Sequence, residues 1–185
     1  MFEEMIFAGF GGQGIMTLGM TLAYAGMLEG RQVAWIPSYG PEMRGGTANC
    51  TVIISDDTIG SPTTDTPSAS MVMNLPSFHK FEPKVLPGGV LIVNSSLIPE
   101  VSKRTDIRTY YLDTAAVAKE LGHPVLAGMV ALGGLNETMH LVRAETLGKV
   151  LEKMLPEHRH KLIPLNLEAL ERGAQLVRNG ASEAS

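Results

Sequence analysis

The feature that most constrains the fold is a glycine-rich break between two apolar segments near the start of the chain. Residues 6–8 are apolar, the loop Gly9-Phe10-Gly11-Gly12-Gln13-Gly14 follows, and an apolar helical pattern resumes at Ile15. Positions 9, 11 and 14 match G-x-G-x-x-G, whose glycines permit a tight turn, close approach to a diphosphate and packing of the helix on the sheet. The spacing predicts a strand, a phosphate-binding loop and a helix. A turn that binds nothing is the alternative, because a single match to this motif has low specificity.

Strand-like and helix-like segments alternate along the rest of the chain. The first helix is expected to end at Gly30, and a second apolar run at 33–36 ends at Pro37. The alternation predicts an α/β fold with a Rossmann-like open, mostly parallel sheet and flanking helices. We expect one domain over residues 1–179 and a disordered tail over 180–185. Further strands are predicted at 48–55, 69–73, 90–94 and 108–112, and further helices at 77–81, 113–121, 126–135, 144–155 and 165–178.

The segment 126–135 is apolar on nearly all sides of the predicted helix. Such a helix is expected to be buried between the sheet and a second layer. Another chain is a candidate for that second layer, because only 18% of the residues are charged and 44% are apolar.

Composition narrows the range of partners. The 185 residues carry a formal net charge of −4, and the fifteen Lys and Arg residues form no run. Neither nucleic acid nor an anionic membrane surface is therefore an expected partner. Glycines interrupt the uncharged stretch from Met5 to Leu28, and Glu3 and Glu4 precede it, which argues against a membrane span or a signal peptide. We expect a cytoplasmic protein.

Cysteine and histidine give no metal-site pattern. Cys50 is the single cysteine, so this chain alone cannot form a disulfide, a cysteine-rich zinc site or a cysteine-ligated iron–sulfur cluster. Because Cys50 lies within a predicted strand, it is expected to be a small buried residue rather than a nucleophile. The five histidines lack metal-ligand spacing.

The predicted second strand lacks a residue that dinucleotide sites use. Rossmann domains that bind NAD usually place an acid at the end of this strand, where it holds the ribose hydroxyls. Here Pro37 and Ser38 occupy that place. The ligand favoured by this difference is a diphosphate carried by another molecule, such as coenzyme A, and flavin stays open.

A second unusual loop follows directly, Tyr39-Gly40-Pro41-Glu42-Met43-Arg44-Gly45-Gly46. Ligands of open α/β sheets gather outside the carboxyl ends of the strands, where both loops are predicted to lie. Arg44 could bind a phosphate and Tyr39 could stack on a base, although an Arg44–Glu42 pair that only orders the loop is equally consistent. Asn94 and Ser95 end another predicted strand and could line the same crevice.

These two loops, followed by the strand from Ala48 to Ser55, resemble the gamma subunit of 2-oxoacid:ferredoxin oxidoreductases over most of the chain. The family includes pyruvate, 2-oxoglutarate, branched-chain and indolepyruvate enzymes. Within the family, this chain is most similar to the 2-oxoglutarate type in its length and in the sequence of residues 37–46, Pro-Ser-Tyr-Gly-Pro-Glu-Met-Arg-Gly-Gly.

The resemblance implies a hetero-oligomeric enzyme that oxidatively decarboxylates a 2-oxoacid, passes electrons to ferredoxin and transfers the acyl group to coenzyme A. It implies that thiamine diphosphate and iron–sulfur clusters reside on partner subunits, namely alpha, beta and a ferredoxin-like delta chain. It further implies that this chain binds coenzyme A and is inactive alone, with no catalytic residue of its own. The residues that the resemblance assigns to coenzyme A are Gly11, Gly12, Gln13, Gly14, Ser38, Tyr39 and Arg44.

Two other functions are consistent with the same residues. The chain could be a structural scaffold whose glycine loops contact a partner subunit and bind no nucleotide. It could also be an independent NAD or flavin oxidoreductase, although the missing acid argues against that reading.

Overall fold

The structure is a computed structural model that describes residues 1–38 and 47–180. Within these residues six helices flank a six-stranded sheet, and short 3₁₀ turns occur at Glu82–Lys84, Pro124–Leu126 and Glu157–Leu162. The strands are β1 (Phe2–Phe10), β2 (Gln32–Ser38), β3 (Thr47–Ser55), β4 (Ala69–Val72), β5 (Val90–Asn94) and β6 (Arg108–Leu112). The helices are α1 (Ile15–Leu28), α2 (Leu75–Phe81), α3 (Thr114–Glu120), α4 (Ala127–Met139), α5 (Ala144–Met154) and α6 (Ile163–Arg178).

The sheet has the order β2-β3-β1-β4-β5-β6 and is mostly parallel, which confirms the predicted fold class. β1, β4, β5 and β6 pair in parallel, whereas β3 is antiparallel to both of its neighbours. β2 therefore does not lie beside β1, because β3 separates them. The short 39–46 connection accounts for the antiparallel pairing of β2 with β3, because so few residues can join antiparallel strands but cannot make the crossover that parallel pairing requires.

Alternate residues of the strands enter two apolar cores, as the two-residue period of a strand requires. One core lies between the sheet and the layer that includes α1 and α4, and the other lies under α2. Strand residues of the first core include Met5, Phe7, Cys50, Val52, Ile54, Met71 and Ile92. Strand residues of the second are Ile6, Ala8, Val72, Leu91 and Val93.

The second layer over α4 is α6 of the same chain, so the proposed role of another chain at this position is wrong. The helices approach closely through two glycines. A Cβ on Gly133 would collide with the carbonyl oxygen of Leu170, and a Cβ on Gly173 would collide with that of Val130. The sequence showed that α4 is apolar all round, but it did not show which element covers it.

Cys50 lies fully buried in β3, as the sequence predicts. Its sulfur contacts α1, since a Cβ on Gly19 would lie 2.5 Å from Sγ. Burial raises the pKa of the Cys50 thiol to about 12, so the thiol is protonated at neutral pH. In the part of the chain that the structure describes, no helix is both long and apolar enough to cross a membrane.

Candidate functional site

The candidate site lies at the carboxyl ends of the parallel strands. The glycine loop follows β1, which is central in the sheet, and the chain then leaves for β2 on one side while β4 and β5 lie on the other. This is a topological switch point, the position where open α/β sheets form a ligand crevice. The antiparallel register places Thr47 opposite Phe10 and Ser38 opposite Asn49. Both ends of the 39–46 segment therefore lie at the same edge as the glycine loop, as predicted.

The glycines of the loop have distinct local causes. Gly12 and Gly14 adopt φ angles of 90° and 73°, which side-chain-bearing residues rarely adopt. Gly9 instead lacks space, because a Cβ there would lie 2.5 Å from Gln13 Oε1 and 3.0 Å from Met73 Cβ. Gly14 is the N-cap of α1, whose first turn contains no acidic residue. The N-terminal N–H groups and the dipole of α1 therefore favour an anion at this loop.

The side chain of Gln13 fixes the loop to the sheet. Its Oε1 accepts a hydrogen bond of 2.6 Å from the Phe10 N–H, and its Nε2 donates over 3.4 Å to the Met73 carbonyl. Both ends of the amide are thus engaged with backbone groups. The Gln13 backbone N–H also donates, to the Phe10 carbonyl over 3.2 Å. Gln13 therefore acts on a ligand only by holding the loop in shape.

A cleft of about 260 Å³ opens beside this loop. One wall is the loop and the start of α1, and the facing wall comes from the α3–α4 connection, the end of α5 and the start of α6. Apolar side chains dominate the lining, with a few polar groups at the rim, which is the usual composition of a small-molecule site. The residues that line it are Gly12, Gln13, Gly14, Thr17, Leu18, Thr21, His123, Val125, Leu126, Gly128, Met129, Leu151, Leu155, Arg159, Leu162, Leu165 and Asn166.

Arg159 supplies a positive charge to the cleft. It lies in the 3₁₀ turn before α6, is exposed, and forms no ion pair with any of the described residues. His123 and Asn166 add polar groups to the same lining. An Arg across a cleft from a helix N-terminus provides two separate groups that attract anions.

A larger cavity of about 450 Å³ lies between α4, α5 and α6, away from the glycine loop. Its charged lining residues are four glutamates, Glu137, Glu145, Glu152 and Glu171, and one lysine, Lys149. This excess of carboxylates disfavours a phosphate group. The smaller cleft at the glycine loop is therefore the better candidate for an anionic ligand.

The structure brings together some of the predicted site residues and not others. Gly12, Gln13 and Gly14 line the cleft, whereas Gly11 is exposed on the same loop and Ser38 is exposed at the end of β2, both outside the described lining. The predictions for Tyr39 and Arg44 fall outside the described residues.

Asn94 is 3% exposed beneath the crevice rather than in its lining. Four further lining residues were not predicted as site residues, because they come from distant segments: Thr17, His123, Arg159 and Asn166. The one sequence signal for Arg159 is its place between two predicted helices in a polar stretch.

The glycine loop at the switch point of an open α/β sheet defines a Rossmann-like domain. Within that class, the family described as "Pyruvate ferredoxin/flavodoxin oxidoreductase" matches residues 4–176, and the chain belongs to this family.

Two of the curated relatives illustrate that the names of such proteins differ in substrate. The chain is 38% identical to the ketoisovalerate oxidoreductase subunit VorA of Methanothermobacter marburgensis, over 92% of this chain and 36% of that protein. It is 30% identical to the 2-oxoglutarate synthase subunit KorC of Methanocaldococcus jannaschii, over 96% of this chain and 95% of that protein. The chain thus spans about a third of the VorA relatives' length and nearly the whole length of KorC.

Solved structures agree with this assignment. The gamma subunit of a keto/oxoacid ferredoxin oxidoreductase from Geobacter sulfurreducens superposes with a TM-score of 0.83 at 29% identity, covering 96% of this chain and 99% of that one. The 2-oxoglutarate:ferredoxin oxidoreductase of Magnetococcus marinus, with 2-oxoglutarate, coenzyme A and succinyl-CoA bound, gives 0.87 at 25% identity, covering 96% of this chain and 31% of that one. The fold described above is therefore the gamma-subunit fold.

Proposed function

We propose that this chain is the gamma subunit of a 2-oxoacid:ferredoxin oxidoreductase and that it binds coenzyme A in the cleft beside the glycine loop. The proposal rests on one observation: the N-terminus of α1 and Arg159 line the same cleft. A coenzyme A molecule has a diphosphate and a separate 3′-phosphate, so two groups that attract anions suit it. The apolar lining suits its uncharged pantetheine arm.

The arrangement of β1, β3 and β2 supports coenzyme A over NAD. In a dinucleotide site, the acid that holds the ribose ends the strand next to β1. Here β3 takes that neighbouring position, and β2 ends in Ser38 one strand further away. At roughly 4.8 Å between strands, Ser38 is displaced by about one strand spacing from the place of the ribose acid.

In the proposed enzyme, a 2-oxoacid loses CO₂ and its acyl group is joined to the sulfur of coenzyme A. The thiol releases one proton, and two electrons pass to ferredoxin. Thiamine diphosphate and the iron–sulfur clusters belong to the alpha, beta and delta subunits in this proposal, in keeping with the single cysteine of this chain. The contribution of this chain is to hold coenzyme A and to take part in assembly.

We propose 2-oxoglutarate as the substrate of the assembled enzyme. This choice is supported by the KorC relative, which matches over 95% of its length, and by the TM-score of 0.87 to the Magnetococcus enzyme. The second candidate is ketoisovalerate, which the 38% identity to VorA favours. Reduction of ferredoxin by the complex purified from its native cell, with each acid supplied in turn, decides between them.

A matched pair of variants tests coenzyme A binding. Gly12 and Gly30 have similar φ angles of 90° and 82°, and a Cβ at either position meets nothing within 4 Å. They lie before and after α1, so Gly12→Asp and Gly30→Asp add the same charge under similar backbone strain, but only the first adds it to the cleft. Coenzyme A is titrated into the assembled complex by calorimetry. Gly12→Asp is expected to abolish binding through repulsion of the phosphates, while Gly30→Asp retains it.

Arg44→Ala is titrated in the same way, because we also propose that Ser38, Tyr39 and Arg44 contact coenzyme A at the same edge of the sheet. Weaker binding by Arg44→Ala supports that assignment. Unchanged affinity in both Gly12→Asp and Arg44→Ala would favour the scaffold alternative, in which the glycine loop contacts a partner subunit and binds no nucleotide.

A further inference from the structure

A chain of hydrogen bonds crosses the carboxyl edge of the sheet beneath the candidate site. Asn94, the last residue of β5, donates from Nδ2 to the Met73 carbonyl over 3.3 Å. The same carbonyl accepts the hydrogen bond from Gln13 Nε2 that fixes the glycine loop. On its other side, Asn94 Oδ1 accepts a bond of 2.8 Å from Thr114 Oγ1, at the start of α3, and one of 3.2 Å from the Ser96 N–H. One asparagine therefore connects the glycine loop with the N-terminus of α3.

These groups are removed from solvent. Asn94 is 3% exposed and Thr114 is fully buried. Buried hydrogen bonds help to specify one geometry, because an unpaired buried partner would be costly. Asn94 is not part of the lining of the cleft, so it acts on the cleft only through its neighbours.

The hydrogen-bonded chain joins one wall of the cleft to the start of the helix that leads to the other wall. The glycine loop provides one wall, and α3 leads through Gly122 into His123, which lines the other wall. We propose that Asn94 is a positioning residue for coenzyme A: it holds the Met73 carbonyl where Gln13 can bind it, and thereby fixes the loop N–H groups that face the phosphates. This inference rests on the proposed function of the cleft.

Asn94→Asp is the informative variant. An ionised aspartate still accepts from Thr114 Oγ1 and the Ser96 N–H, but it cannot donate to the Met73 carbonyl and places an anionic oxygen against it. Asn74→Asp is its matched control. Asn74 is 1% exposed, its Oδ1 accepts from the Ser77 N–H, and its Nδ2 has no partner among the described residues, so the same substitution removes no hydrogen bond there.

Two measurements are made on the assembled complex. Amide hydrogen exchange over residues 8–18 reports whether the loop is held, independently of any ligand. Steady-state kinetics report the KM for coenzyme A and kcat. Asn94→Asp is expected to speed exchange in the loop and to raise KM about tenfold, the effect of one lost buried hydrogen bond, with kcat at saturating coenzyme A unchanged. Asn74→Asp is expected to leave exchange and KM as in the unmodified protein.

The outcomes separate this inference from the proposal on which it rests. Unchanged loop exchange in Asn94→Asp overturns the positioning role, as does an equal effect of the two variants. Faster loop exchange with an unchanged KM shows that Asn94 holds the loop but that coenzyme A does not bind there, which overturns the proposed function. If Asn94→Asp fails to fold, Thr114→Val removes the shorter of the two hydrogen bonds to Asn94 Oδ1 and leaves the one from the Ser96 N–H. The same two measurements then apply, with smaller changes expected.

Discussion

Gly173 in α6 lies directly against the Val130 carbonyl in α4, so close that a Cβ on Gly173 would overlap the oxygen. Gly133 lies in the same way against Leu170 in the opposite direction. The two helices therefore meet backbone to backbone at two points. This close packing carries α6 over α4 and places the start of α6, with Asn166, at the rim of the cleft.

The first prediction concerns this helix contact. Gly173→Ala is expected to destabilise the full chain by about 1–3 kcal/mol, because the methyl group must push two backbones apart. Gly148→Ala is the control: its Cβ would lie an ordinary 3.4 Å from Leu167 Cδ2, so the better helix propensity of alanine makes it neutral or stabilising. Urea unfolding followed by circular dichroism measures both. Equal stability of the two variants would contradict the close contact between α4 and α6.

The second prediction concerns Arg159. Arg159→Ala in the assembled complex is expected to raise the Kd for coenzyme A roughly tenfold, a modest loss because the exposed guanidinium is partly screened by solvent. Arg172→Ala is the comparison, since Arg172 pairs with Glu120 and is not part of the described lining of the cleft. Calorimetric titration gives both constants. The same Kd in Arg159→Ala and the unmodified complex would remove Arg159 from the site.

The third prediction concerns the reactivity of Cys50. Burial raises the pKa of its thiol to about 12, and the thiolate is the reactive form. The folded chain is therefore expected to react with a thiol reagent at pH 8 only as fast as it unfolds. In urea the unfolded chain should react at once with one equivalent of the reagent, because Cys50 is the single cysteine. Rapid stoichiometric labelling of the folded chain would show that the β3 face is open to solvent.

The fourth prediction follows from the same thiol and concerns stability against pH. The folded pKa lies above that of an unfolded cysteine, so folding favours the protonated thiol. Its contribution to stability is complete below the unfolded pKa and is lost as the pH rises towards about 12. Between these values the free energy of unfolding should fall by up to about 1.4 kcal/mol per pH unit more steeply than in Cys50→Ala. Denaturation curves at several alkaline pH values measure both slopes, and equal slopes would contradict the burial of the thiol.

Local sequence patterns predicted much of the secondary structure. The strand from Val90 to Asn94 and the helix from Ile15 to Leu28, with Gly30 beyond its end, agree with their predictions because apolar periodicity and glycine conformation act over a few residues. The glycine loop was likewise correctly placed at the carboxyl edge of the sheet. The position of β3 between β1 and β2 was not predicted, since strand order depends on pairing between segments distant in sequence.

The candidate site, too, was predicted from the sequence only in part. The sequence by itself determined the glycine loop, because φ angles of 90° and 73° at Gly12 and Gly14 demand that residue type, and it determined the absence of an acid at the end of β2. Only the tertiary structure decided that Arg159 faces that loop, that Asn94 supports it from below, and that α6 covers α4. The reason is physical: backbone conformation and side-chain chemistry are local properties, whereas a cleft wall forms where segments far apart in the chain pack together.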